Sequence, residues 1–139
     1  MSLDVGLYRK IWTSYDLSLP PAEGKEELYS ANITHNLGKM ADKAGIYKAL
    51  WRPYQLRSEF IEQSDYDKEC EFEESVTILA KEIIPILEKG LKDLKARPSY
   101  FKKFDSPNGW GMYGHFVPFV EKYLNACLES PDATIEVSR

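Results

Sequence analysis

Apolar and polar residues alternate with a period of two near both ends of the chain, which is typical of half-buried β-strands. The pattern predicts strands over 2–12, 27–32 and 133–138. The intervening stretch SLPPAEGKEE (18–27) has paired prolines and a glycine among charged residues, so it predicts a loop.

A helical pattern begins after the second predicted strand. Thr34 has a side chain suited to capping a helix, and apolar residues then recur at helical spacing up to Ala44. Gly45 followed by Ile46 is typical of a Schellman ending, with a left-handed glycine and an apolar residue packing back. A second short helix, IYKALW, should end before Pro53.

Longer helices are predicted in the second half of the chain. An amphipathic helix spans about 75–96, and Pro85 should kink or divide it. A last helix ends near Glu129, and DSPNGWGMYG (105–114) before it predicts a loop. The acidic stretch 59–74 is interpreted as a solvated segment.

These elements predict an α+β fold. A small sheet, formed by strands near the N- and C-termini, should carry three or four helices packed on one face. The length of 139 residues fits one domain spanning 1–139.

Composition narrows the classes of function. The net charge of −4 gives no global attraction to nucleic acid or to anionic membranes, and no apolar run is long enough for a membrane span. Two cysteines do not make a disulfide framework, and the first residues lack a signal-peptide pattern. We therefore expect a cytoplasmic protein with no nucleic-acid partner.

Few residues suggest chemistry. The histidines and cysteines lack zinc spacing, and the acidic run DYDKECE lacks the glycine and glutamate of a calcium loop, so we expect no metal and no cofactor. No catalytic residue is assigned. His35 lies near a helix start and could bind an anion or act as a base. The interpretation we favour is that Thr34 only caps the helix and that His35 is a satisfied polar residue of its first turn.

Two tryptophans suggest binding surfaces. Trp110 between two glycines either plugs the core, which we favour, or forms one wall of a site. Trp51 beside Arg52 is either a binding hot spot or a core residue that the arginine covers. A small-ligand site would require six side chains to meet in one pocket: Asn32, His35, Asn36, Arg52, Asn108 and Trp110.

The joint pattern ANITHNLGKMADKAGIYKALWRP, LEKGLKDLKARPSYFKKF, NGWGMYGHFVPFVEKYLNAC and PDATIEVSR resembles a family of small uncharacterised proteins from bacteriophages and related mobile elements. The resemblance covers most of the chain except about 14–28 and the acidic stretch. It implies a bacterial host cytoplasm and supplies no activity or site residue.

Three hypotheses of function follow. The first is an accessory protein that binds a protein partner or associates with itself, without catalysis. The second is a protein that binds or sequesters a small, nucleotide-like ligand. The third is an enzyme that uses His35 as general base, which requires a carboxylate or nucleophile within hydrogen-bond reach.

Overall fold

Three strands near the two ends of the sequence form one antiparallel sheet. In the computed structural model, which describes residues 2–13, 18–62 and 65–139, they are β1 (Ser2–Thr13), β2 (Ala22–Thr34) and β3 (Thr134–Ser138). The strand order is β2-β1-β3, so β1 is central and pairs with both neighbours. The predicted α+β fold with a terminal sheet is confirmed.

One face of the sheet is buried and the other is open. Leu3, Val5 and Leu7 of β1 point into the core, whereas Asp4 between them is exposed. This is the period of two that the sequence shows. A bulge between Leu7 and Tyr8 shifts the β1–β2 register by one residue.

Strand β2 begins five residues earlier than predicted, so the loop prediction was wrong for 22–27. The early part of β2 pairs with the end of β1, and ion pairs join Arg9 to Glu26 and Lys10 to Glu23 across the strands. Cross-strand pairing therefore outweighs the weak strand tendency of a charged segment that contains glycine.

Six α-helices lie in the described part of the chain, three of them only five or six residues long. They are α1 (Gly38–Lys43), α2 (Tyr47–Trp51), α3 (Tyr66–Ser75), α4 (Ala80–Ala96), α5 (Pro98–Lys102) and α6 (Tyr113–Glu129). Short 3₁₀ helices precede α1 at His35–Leu37 and follow α2 at Pro53–Leu56.

The predicted capping residue and C-terminal ending of this helical segment are confirmed, but Thr34 caps the 3₁₀ helix His35–Leu37, and α1 itself begins at Gly38. Thr34 accepts a hydrogen bond from the backbone N–H of Asn36. At the other end Gly45 has a φ of 76°, and the N–H of Ile46 donates to the carbonyl of Ala41 at 3.0 Å. This is a Schellman ending, and Ile46 is fully buried, as is common for the apolar residue of that motif.

The acidic stretch is solvated, as predicted, since α3 has no buried residue. Its helical structure was not predicted; Asp65 caps α3 by accepting from the N–H groups of Asp67 and Lys68. One helical prediction needs correction. The long helix begins at Ala80 rather than near residue 75, and it continues through Pro85. That proline costs one backbone hydrogen bond near the helix start, which the rest of the helix offsets.

The core lies between the sheet and the pair α4 and α6. At the crossing of α4 with the turn before α2, Gly90 lies against Ile46. The fully buried side chains with the largest volume are Tyr123, Phe101, Phe116, Leu3, Leu7, Leu37, Met40, Ile46, Leu50, Ile83, Leu87 and Leu94.

Candidate functional site

A large concavity opens at the end of the sheet where β1 begins and both neighbouring strands end. The antiparallel register brings Ser2 opposite Thr34 and Asp4 opposite Ser138. The concavity has a volume of about 970 Å³, within the range of small-molecule sites. We call it the sheet-end pocket. It is lined by Ser2, Asn32, Ile33, Thr34, His35, Asn36, Gly38, Tyr47, Trp51, Arg52, Asn108, Trp110 and Arg139.

All six residues that the sequence singled out for a ligand site line this pocket. They are Asn32, His35, Asn36, Arg52, Asn108 and Trp110. They come from the end of β2, the following 3₁₀ helix, the residue after α2 and the loop before α6. The fold therefore satisfies the geometric condition of the small-ligand hypothesis.

His35 is held by Trp51. The indole Nε1–H of Trp51 donates to Nδ1 of His35 at 2.8 Å, and the two ring centroids are 6.2 Å apart. An indole N–H can only donate, so Nδ1 must be the unprotonated nitrogen and the neutral ring carries its proton on Nε2. In this tautomer the Nε2–H of His35 is a hydrogen-bond donor.

Trp51 is a core residue, only 2% exposed, and its backbone also supports the pocket. Its ring stacks on Tyr47 with a centroid separation of 5.2 Å. Its carbonyl accepts from Nη1 of Arg139 at 2.9 Å. Of the two interpretations of Trp51, the core residue is the correct one, although Trp51 also lines the pocket.

Trp110 does not plug the core, so that expectation was wrong. Its side chain is 72% exposed on a loop that is held by one local and one long-range hydrogen bond. The side-chain Oδ1 of Asn108 accepts from the N–H of Trp110 at 2.9 Å, and Nδ2 of Asn36 donates to the carbonyl of Trp110 at 2.7 Å. The indole is thus exposed on a fixed backbone at the pocket edge.

The glycines beside Trp110 explain this loop. Gly109 and Gly111 have φ values of 77° and 123°, which other residues rarely adopt. A Cβ on Gly111 would lie 2.9 Å from Cβ of Asn36, so only glycine allows the loop to approach this closely. An aromatic residue between two glycines is equally compatible with a buried and with an exposed ring. The sequence pattern alone therefore does not determine the exposure of Trp110.

The charge of the pocket is opposite to that of the whole chain. Among its described lining residues, Arg52 and Arg139 are the only permanently charged side chains, in a protein of net charge −4. Burial lowers the pKa of Arg52, but hydrogen bonds to Tyr54 and Tyr47 outweigh it and raise the pKa above its ordinary value. The Arg52 guanidinium is therefore charged at neutral pH.

Polar groups add directional contacts. Oδ1 of Asn108 is occupied by Ser106 and Trp110, which leaves its Nδ2 as a donor. The side-chain amide of Asn32 makes no hydrogen bond within the described part of the chain. The pocket therefore combines two cations, amide donors and an exposed aromatic ring.

Sequence reasoning missed Arg139 as a pocket residue. The signal lay in the topology, because β3 runs antiparallel to β1 and its last residues must lie beside the start of β1. The terminal strands alone, once paired in that sense, would place Arg139 at the same sheet end as Ser2 and Thr34.

The described residues offer no metal cluster, and the thiol of Cys127 is not reactive. No cluster of three or more histidine, cysteine, aspartate or glutamate side chains there is placed to hold a metal ion. Burial raises the pKa of Cys127 to about 12, so that thiol is protonated at neutral pH and is a poor nucleophile. Within the same ranges, no helix is both long and apolar enough to cross a membrane.

Comparisons with known proteins add no family to this geometry: no family model matches the chain, and neither the curated proteins nor the solved structures searched yield a significant match.

Proposed function

We propose that this protein binds a small anionic ligand with a planar ring, of the nucleotide class, in the sheet-end pocket. The observation that carries the proposal is the meeting of two arginines and one exposed tryptophan in the same concavity. No enzymatic step is part of the proposal.

The arginines account for the anion. Guanidinium groups present several N–H donors in a fixed plane and suit phosphate oxygens particularly well. The permanently charged side chains among the described lining residues are both arginines, whereas the protein as a whole is acidic. The pocket therefore attracts negative ligands, and the rest of the surface repels them.

The exposed indole of Trp110 accounts for the planar group. A tryptophan that is 72% exposed loses the benefit of burying a large apolar ring, unless a ligand covers it. Stacking of a base on an aromatic side chain contributes about 1–3 kcal/mol. Because the loop of Trp110 is already held by Asn36 and Asn108, little ordering is required on binding.

The test is calorimetric titration of the full chain with three probes: AMP, adenosine and ribose 5-phosphate. We expect AMP to bind more tightly than either fragment, because adenosine lacks the phosphate and ribose 5-phosphate lacks the base.

Two tryptophan variants give a matched control. W110A should weaken AMP binding about tenfold or more, because the stacking surface is lost. W12A removes another exposed tryptophan, 64% exposed on β1 and outside the pocket lining, and should change the affinity less than twofold. Equal effects of the two variants, or no AMP binding by the wild type, would contradict the proposal.

A second candidate is binding of a protein partner, either another protein or a second copy of this chain. It is favoured by exposed apolar side chains on the β1–β2 hairpin, where Trp12 and Leu19 are 64% and 62% exposed. Size-exclusion chromatography with light scattering on wild type and W12A tests self-association. A shift from oligomer to monomer in W12A would favour this candidate.

The cellular setting is proposed on the sequence alone. A host-cell cytoplasm agrees with two unpaired thiols and with a nucleotide-like ligand. The origin from a bacteriophage or mobile element rests on the resemblance of the sequence motifs.

A further inference from the structure

We propose that α3 is an acidic strap whose carboxylates occupy the pocket arginines and that ligand binding displaces it. This inference rests on the proposed function, since it concerns how an anionic ligand gains access to the sheet-end pocket. The strap is α3 (Tyr66–Ser75), and its contacts with the rest of the chain carry the argument.

The first contact is a direct ion pair. Nη2 of Arg139 donates to Oε1 of Glu73 at 2.8 Å, while Nη1 of the same group donates to the carbonyl of Trp51. The guanidinium that lines the pocket is therefore already neutralised by α3. A ligand phosphate approaching Arg139 meets the carboxylate of Glu73 as a competitor of the same charge.

The second contact reaches Arg52 through a tyrosine. Nη1 of Arg52 donates to the hydroxyl of Tyr54 at 3.0 Å, and that hydroxyl donates to Glu69. Gln55 donates to the same carboxylate at 3.1 Å. Both pocket cations are thus tied, directly or through one hydroxyl, to carboxylates one helical turn apart on α3.

Little else holds the strap. No residue of α3 is buried, and its apolar attachment is Phe72, whose ring lies 5.6 Å from that of Phe60 and 6.5 Å from that of Tyr54. Among the described residues, one partly exposed ion pair, two hydrogen bonds to Glu69 and a small aromatic cluster attach α3, so it is among the elements of low local stability that can detach without unfolding the core.

The structure also supplies a matched control on the same helix. Glu74 follows Glu73 directly, is exposed, and its side chain makes no hydrogen bond or ion pair with the described residues. E73Q and E74Q change the net charge equally, but only E73Q replaces the charged partner of Arg139 by a neutral amide, whose oxygen accepts a weaker hydrogen bond.

The experiment titrates AMP into wild type, E73Q and E74Q, and follows amide hydrogen exchange over 66–75 with and without AMP. We expect E73Q to bind AMP about three- to fivefold more tightly than wild type, and E74Q to differ less than twofold. AMP should accelerate exchange in α3 of the wild type, because the strap is released.

The outcomes separate this inference from the proposed function. AMP binding that is equal in all three proteins, or weaker in E73Q, with unchanged exchange in α3, would overturn the strap and leave the pocket proposal standing. Absence of AMP binding in all three would overturn the proposed function, and the strap with it.

Discussion

Tyr123 on α6 shows how individual side chains decide stability in this fold. Its ring is fully buried and stacks near Tyr29, but its hydroxyl has no hydrogen-bond partner among the described residues. Burial, with smaller contributions from Cys127 and Tyr29, raises the pKa of Tyr123 well above its ordinary value. The hydroxyl therefore stays neutral, and no hydrogen bond compensates for the free energy of its desolvation.

Y123F should stabilise the protein. Removing an unsatisfied buried hydroxyl relieves its desolvation cost and should raise the free energy of unfolding by about 1 kcal/mol. Urea denaturation at neutral pH measures this difference.

Y113F is the control for that substitution. The hydroxyl of Tyr113 donates to the carbonyl of Leu94 at 2.7 Å, so its loss should lower the free energy of unfolding by about 1 kcal/mol. If Y123F lowered the free energy of unfolding as Y113F does, the assignment of an unpaired hydroxyl to Tyr123 would be wrong.

At the same scale, the candidate site residues could be selected from sequence by chemical type, since amides, an arginine, a histidine and a tryptophan are the groups that bind polar, planar ligands. The exposure of the Trp110 side chain, in contrast, could not be predicted from the sequence. It depends on a contact between Asn36 and the Trp110 backbone, 74 positions apart, which no local pattern encodes.

At the scale of elements, the close contact of α4 with the turn before α2 depends on Gly90. A Cβ on Gly90 would lie 2.1 Å from Cγ2 of Ile46 and 3.2 Å from the carbonyl oxygen of Ala44. Ile46 is fully buried, so it has no free space into which to move.

G90A should therefore destabilise the protein by about 1–3 kcal/mol, even though alanine is the better helix former. G114A is its control, because a Cβ on Gly114 in the first turn of α6 meets nothing within 4 Å. Thermal unfolding of the two variants should show a lower midpoint for G90A and an unchanged or higher one for G114A. A G90A protein as stable as wild type would show that α4 does not approach the turn this closely.

The elements that the sequence predicted well are those whose own pattern determines them. The alternation in β1 and the Schellman ending at Gly45 are local signals with local causes. The early half of β2 and the whole of α3 are different, because both are charged segments. Cross-strand ion pairs stabilise the first, and the second combines an aspartate cap with side-chain contacts to Tyr54, Gln55 and Arg139.

At the scale of the whole molecule, the antiparallel pairing of β1 with both neighbours brings distant parts of the sequence to one end of the sheet. Ser2, Thr34 and Arg139 line one pocket because β1 starts where β2 and β3 end. The fold class could be predicted because apolar strands lay near both ends of the chain. The positive charge of the pocket could not be predicted, because only the pairing of β3 with β1 places Arg139 there.

The central claim is that the sheet-end pocket binds a nucleotide-like anion, and the indole N–H resonances of the three tryptophans test it most directly. Trp110 and Trp51 line the pocket, whereas Trp12 lies outside its lining. In two-dimensional NMR spectra recorded during a titration with AMP, the account predicts saturable shifts of the Trp110 and Trp51 signals and a constant Trp12 signal. Three unchanged signals at millimolar AMP, or a shift confined to Trp12, would contradict it.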